Sequence, residues 1–364
     1  MLVALLMALA VTTASSISAD AQSSPQGAVA ARDAFEALVA GRIREATPLF
    51  EQAIAAAPTD PDLRVGAAFA AYLEGRSDDA RHMLDSALAL DAKHIGARML
   101  LGRLQRRTGD SVGAVQTYER LAADLPDNKN IAKVLARWHR EDALHTQMDQ
   151  SIGAHFSVAF DGPSEAALAE RALASLERAY DRIGDVLLVY PVTPIPVVLY
   201  SQRQFRDITR SPSWAGGAYD GIIRVPVRGA LDQEAELDRV LSHEFVHALV
   251  ATMTTRRLPT WFNEGLAGAL ETDDVGWAHR VVEQLPEPIP LEALIGSFSE
   301  FSGDEADGAY AVSALAIHRL LETAGGVAVA NLLRDLDDGA SFEAAFAHRM
   351  PVTLKQFEAE WDAR

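Results

Sequence analysis

A period of 34 residues runs through the first third of the chain. Gly41, Gly75 and Gly109 mark it. So do Ala46, Ala80 and Ala114, then Phe50, Leu84 and Tyr118, and then Pro58, Ala92 and Pro126. Self-similarity at this spacing constrains the fold more than any single residue does. A unit this short cannot bury its apolar face alone and must stack on its own copies. Each phased position has a physical task. Glycine occupies the turn between two paired helices, and the small alanine lets those helices approach. The aromatic or leucine fills the space between them, and proline ends the second helix.

These phased positions resemble those of tetratricopeptide repeats. The resemblance implies an all-α solenoid of three repeats over residues 27–128, closed by a capping helix near 130–144 that carries Leu135 and Trp138. The repeat domain is therefore expected over 27–145, and three repeats are about the minimum for a stable stack. Such a solenoid offers a concave surface to a protein or peptide partner; the other reading is a spacer that stabilises the next domain. The segment Gly109-Asp110-Ser111-Val112-Gly113 fits the G-x-S-x-G hydrolase pattern. That nucleophile needs a strand-to-helix turn. Here it falls in a helix–helix turn, where Asp110 or Ser111 serves as a helix N-cap.

The chain has 51 Asp and Glu against 33 Lys and Arg, a net charge of −18. Such a surface repels phosphate backbones, which argues against nucleic acid as a partner. The absence of cysteine removes disulfides, cysteine-ligated zinc and thiol catalysis. Residues 2–11 are an apolar run of signal-peptide length, and Ala19-Asp20-Ala21 offers an A-x-A cleavage site before Gln22. No Lys or Arg precedes the run, which leaves a misplaced start or an apolar tail as the other reading. Residues 1–21 are expected to be a signal peptide, and the mature chain to be exported, periplasmic or secreted. The run is too short for a stable transmembrane helix, and no later span is evident.

From about Ser151 the pattern changes. Residues 155–160 alternate as a strand, 163–185 as an amphipathic helix, and 195–201 as a β-rich run bounded by prolines. Residues 218–227 read as one further strand, which Pro226 places at a sheet edge. A long helix is expected over 232–254, then helices near 260–270, 308–323, 327–337 and 353–361. The whole is an α+β domain over 151–364 with a helical C-terminal half.

The long helix carries His243-Glu244-Phe245-Val246-His247. Residues four apart lie one turn apart on one helix face. Both imidazoles therefore reach one Zn²⁺ at about 2.0–2.1 Å. Glu244, beside His243, approaches a water on the metal without being a ligand and accepts its proton. After Pro259 comes Thr260-Trp261-Phe262-Asn263-Glu264-Gly265-Leu266-Ala267. Thr260 can cap a second helix, and two helices joined by a short loop bring Glu264 back beside His247 as a third ligand. His279 is the alternative third ligand. A metzincin site is excluded, because Val250 and Met253 stand where it needs Gly and His.

The two segments H-E-F-V-H and P-T-W-F-N-E-G-L-A resemble those of the gluzincin metallopeptidases. They are most similar to the peptidase MA-like family found beside tetratricopeptide repeats, and the second segment is similar to that of zinc aminopeptidases. The resemblance covers roughly 151–364. It implies one zinc ion per chain, held by His243, His247 and Glu264, with Glu244 as general base. It also implies a substrate-side edge strand at 218–227 and an orienting carboxylate at Glu271, which otherwise reads as a surface group. An oxyanion donor from the C-terminal helices is implied as well. Tyr310 is the candidate for it, its other reading being a core tyrosine. His318 fits the same helix face. Ten Asp and Glu lie between Glu271 and Asp307 with Arg280 as the single base. They read as a mostly solvated loop which, if it rims the cleft, favours cationic peptides. The reading is a zinc metallopeptidase acting on peptides or exported proteins. The alternative is a repeat-based interaction scaffold with an inactive or auxiliary protease-like domain.

Overall fold

The computed structural model describes residues 25–40, 42–209, 218–219, 221–227, 234–254, 256–298, 301 and 303–362. The expected signal peptide at 1–21 lies outside them, as do Gly41 and Asp220. The chain divides into two compact units, Met1–Arg140 and Glu141–Arg364.

The first unit contains six paired helices: α1 (Pro25–Val39), α2 (Ile43–Ala56), α3 (Pro61–Leu73), α4 (Ser77–Leu90), α5 (Ile95–Arg107) and α6 (Ser111–Asp124). A seventh, α7 (Lys129–Gln147), runs across the division. The phased alanines Ala46, Ala80 and Ala114 are fully buried, and so are Phe50, Leu84 and Tyr118 within the limits of close packing. Gly75 and Gly109 adopt φ of 79° and 84°, a region that favours glycine, and so terminate one helix of a pair and release the next. Asp110 is the N-cap of α6 and accepts from the Gly113 amide at 2.8 Å. The G-x-S-x-G segment is thus a helix–helix turn. Trp138 on α7 closes the stack edge-on against Tyr118 at 4.5 Å.

The second unit is built on a five-stranded sheet of order β1-β2-β3-β5-β4. Its strands are β1 (Asp149–Ile152), β2 (Phe156–Phe160), β3 (Ile195–Ser201), β4 (Ala218–Tyr219) and β5 (Ile223–Val227). β2, β3 and β5 are parallel, and β1 and β4 are antiparallel flanks. The helix α8 (Ala166–Leu187) connects β2 to β3, as a parallel pair requires. The segment expected as one strand over 218–227 is instead a hairpin. β4 pairs only with Ile223 and Arg224, whereas β5 pairs with β3 along its length, Pro226 opposite Tyr200. Pro226 falls past the last β4 partner, where its missing N–H leaves no ladder bond unmade.

The remaining helices are α9 (Gln202–Thr209), α10 (Glu234–Met253), α11 (Thr260–Leu270), α12 (Gly276–Val282), α13 (Gly303–Ala324), α14 (Gly326–Asp337), α15 (Phe342–Arg349) and α16 (Leu354–Asp362). Among the described residues no single helix is long and apolar enough to cross a membrane. The acidic stretch expected as a loop contains α12 and a short 3₁₀ turn at Leu291–Leu294, and runs into α13.

α10 lies in the core. Phe245 packs against Phe156 at 5.3 Å and Tyr180 at 6.0 Å between ring centroids. α11 is anchored by Trp261 and Phe262, which meet Phe342 at 6.2 and 5.2 Å. A Cβ at Gly265 would collide with the Ser313 carbonyl on α13. Glycine there lets α11 and α13 cross at backbone contact, which places Glu264 and Tyr310 on one cleft.

Candidate metal centre

The helical spacing on α10 brings the rings of His243 and His247 to 4.9 Å between centroids. Glu264, in the second turn of α11, completes the group. Its Oε2 lies 3.5 Å from Nε2 of each histidine. One ligand atom from each of the three residues falls within 4.8 Å of the others. Two donors at zinc–ligand distances of about 2.0–2.1 Å in a tetrahedron are about 3.4 Å apart. The spacing therefore fits one such ion held by two imidazoles and a carboxylate. His279 is not part of the group. It lines a separate cavity of about 700 Å³ together with His318.

Thr260 does not cap α11. Pro259 occupies the N-cap with extended ψ of 137°, and Thr260 is already helical, its amide donating to Ile295 O at 3.2 Å.

A surrounding set of hydrogen bonds holds the cluster in place. Glu271, 4% exposed, places Oε2 2.8 Å from His243 Nδ1. Arg239 donates to both oxygens of Glu271 at 3.1 Å and also pairs with Glu236. The Asn263 amide nitrogen lies 3.2 Å from His247 Nδ1. Arg182 on α8 donates to the carbonyls of Leu270, at 2.9 Å, and Glu271, at 3.4 Å. It also donates to Ser242 Oγ at 3.3 Å. One side chain thus ties the end of α11 to the helix that carries both histidines.

The charges follow from this packing. Burial alone would lower the His243 pKa, but hydrogen bonds to Glu264 and Glu271 outweigh it and hold the imidazole at about 10 when no metal is bound. Burial would raise Glu264. The charge of His247 and the hydrogen bonds from both histidines instead hold its carboxyl well below the usual range.

Glu244 is 6% exposed, and its Oε2 is buried without a hydrogen-bond partner. Burial pushes its carboxyl up, against the opposing pull of His247 and His243. An orphaned buried carboxylate oxygen beside three convergent donors is costly unless something else occupies the site. Tyr310 is half-buried in the third turn of α13 rather than at the helix start. Its ring is 6.5 Å from that of His243 and edge-on to Phe298 at 5.2 Å. Burial, and then the negative Glu264 and Glu244, hold its phenol well above the usual range, so it keeps its proton. His318, two turns further along α13, faces the other cavity. The cleft, of about 970 Å³, is lined by the three donors with Glu244, Tyr310 and Tyr219 of β4.

The family model of the peptidase MA superfamily matches residues 176–364, more than half of the chain. The chain belongs to the peptidase MA superfamily. Its metallopeptidase-like domain thus carries the His₂Glu cluster, and a tetratricopeptide-repeat model matches 37–89 and again 71–137. Among solved structures, the chain is similar to the first TPR of Spaghetti (RPAP3) bound to the HSP90 peptide SRMEEVD. That match has 20% identity, covers 32% of this chain and 96% of that one, and has a TM-score of 0.31. The NMR structure of the first TPR domain of human RPAP3 matches at 20% identity over 33% of this chain and 94% of that one, also with a TM-score of 0.31. No curated protein sequence matches.

The candidate site contains residues that sequence reasoning missed. Arg239 stands one turn before His243 on the same face, a spacing that could have found it. Asn263 was part of the quoted motif but had no task. Arg182 had no local signal, because its partners lie 60 to 89 residues away.

Proposed function

We propose that the second unit is an active zinc peptidase, with His243, His247 and Glu264 as the ligands of one Zn²⁺ per chain. The observation that carries this reading is the 3.5 Å spacing of the Glu264 oxygen from both imidazole nitrogens, beside the unpartnered carboxylate of Glu244. When bound, a zinc ion supplies Lewis acidity, lowering the pKa of water and polarising a peptide carbonyl. The protein's own groups do the rest. Glu244 accepts the proton of the attacking water and returns it to the leaving amine. Tyr310, held protonated, donates a hydrogen bond to the oxyanion of the tetrahedral intermediate. Glu271 and Arg239 hold the His243 ring in orientation, and Asn263 supports His247. Tyr219 lies on β4 at the cleft, where an extended peptide backbone can add to the sheet. The repeats recruit a protein substrate or partner, and the chain acts on peptides or proteins after export.

The test is zinc content by elemental analysis together with peptide hydrolysis, on the wild type and on Glu244→Gln. The expected result is one zinc in both proteins and hydrolysis only in the wild type. A folded protein that takes up no zinc, or a Glu244→Gln variant as active as wild type, would overturn the reading. The scaffold alternative would be favoured by a degenerate site, whereas Glu244 stands here beside all three candidate donors, which supports the peptidase reading.

A further inference from the structure

Three arginines line the cleft: Arg239, Arg256 and Arg257. Arg239 is consumed by Glu236 and Glu271. Arg256 is half-buried and Arg257 exposed, and among the described residues neither guanidinium has a carboxylate partner. Elsewhere in the same unit Arg178, Arg224, Arg319 and Arg349 are each paired with an acid. Two neighbouring cations left without a counter-charge repel each other. In a chain of net charge −18, two adjacent cations at the cleft without an acidic partner make a local positive surface that attracts a negatively charged group.

Of the acids that line the cleft, Asp307 is exposed and the other three lie at the donor cluster. Glu264 faces the two histidines, Glu271 faces His243 and Arg239, and Glu244 is buried beside them. Among the described residues of the acidic stretch, only its two terminal acids, Glu271 and Asp307, line the cleft. The expected preference for cationic peptides therefore loses its basis.

Resting on the peptidase reading, we propose that Arg256 and Arg257 form a carboxylate-recognition subsite of the cleft. It takes an acidic side chain or the free C-terminal carboxylate of the bound peptide. The position suits this. α10 continues past His247 to Met253, about 9 Å of helix, and the two arginines follow after Thr254 and Thr255 in the chain. A helix segment of that length corresponds to about three residues of extended peptide. The planar guanidinium fork matches a carboxylate with two parallel hydrogen bonds, a geometry that an ammonium group lacks.

The experiment uses the zinc-supplemented full chain carrying Glu244→Gln, so that bound peptides persist. Fluorescence anisotropy is read with an otherwise neutral labelled peptide in three forms. One has a single internal Glu, one has Gln in its place, and one has an amidated C-terminus. Tighter binding by about tenfold of the carboxylate-bearing forms, lost in the Arg256→Gln/Arg257→Gln double variant, is the expected result. Loss on Glu-to-Gln exchange assigns the side chain as the source, and loss on amidation assigns the C-terminus. Affinity indifferent to all three forms, with wild-type hydrolysis intact, overturns the subsite and leaves the peptidase reading standing. A wild type that cleaves none of the peptides, with a variant that binds none, removes both. A cooperative thermal transition matching the parent's shows that the double variant is folded. If it is not, the single Arg257→Gln variant, altering the more exposed residue, supplies the same comparison.

Discussion

Glu271 Oε2 stands 2.8 Å from Nδ1 of His243, on the side of the ring away from Glu264. With Nδ1–H donating to this carboxylate, Nε2 presents its lone pair to a metal. Arg239 keeps Glu271 aimed by bonding both of its oxygens at 3.1 Å. Replacing Glu271 by Ala is expected to weaken zinc binding by about 10–100-fold. Glu271→Gln, which keeps an acceptor, is expected to lose less. Competition with a chromophoric chelator measures both. Zinc affinity unchanged in Glu271→Ala would show that the contact does not tune the metal.

Tyr310 is the candidate donor to the oxyanion. A donor in that role acts in the transition state rather than on the ground-state substrate. Tyr310→Phe is therefore expected to lower kcat by about 10²–10³-fold with KM little changed. The aromatic packing on Phe298 is retained, so the thermal midpoint should stay close to that of wild type. Steady-state kinetics on one peptide decide the matter. A rise in KM alone would assign Tyr310 to substrate binding.

The placement of the two histidines and Glu244 was legible because they share one helix, where spacing alone dictates which face they occupy. Glu264 was legible for a related reason: a short connection leaves α11 little freedom to place it anywhere but beside α10. Reach failed where partners are distant. Arg182 meets Ser242 and the end of α11 only after α8 packs on α10, and nothing near Arg182 in the chain announces that. The hairpin at β4 and β5 was read as one strand because both halves are β-rich. The turn at Gly221 shows itself only once β3 fixes the register of β5. Pro226 was taken to mark a sheet edge, whereas β5 lies between β3 and β4 and lacks a β4 partner only beyond Arg224.

Arg224 and Glu141 form an ion pair of 2.7 Å in which both side chains are under 5% exposed. Removing one partner leaves a buried charge without its counter-ion. Glu141→Ala is expected to destabilise the protein by about 3–5 kcal/mol. Replacing both by apolar residues of similar size, Glu141→Leu with Arg224→Met, should recover most of that loss. Chemical denaturation of the two variants beside wild type provides the measurement. A double variant as unstable as the single one would mean that the pair contributes net stability of its own.

Glu177 on α8 ties down the start of β2. One carboxylate oxygen accepts the His155 amide at 3.0 Å, and the other lies 2.6 Å from its ring Nδ1. The ring itself stacks on Tyr180 at 3.7 Å. Burial would raise the Glu177 carboxyl, yet the hydrogen bonds from the His155 backbone and ring outweigh burial and lower it. A carboxyl lowered by folding adds stability above its unfolded pKa of about 4.3. That stability disappears as pH falls through the lower folded value, because the protonated group no longer favours the native state. Wild type should therefore exceed Glu177→Gln in thermal midpoint near neutral pH. The gap should narrow as pH falls below about 4 and close in stronger acid. Thermal scans of both proteins across that range test the sign: a gap that widens in acid would mean that the carboxylate is disfavoured in the fold, and that His155 is held by its stacking on Tyr180 alone.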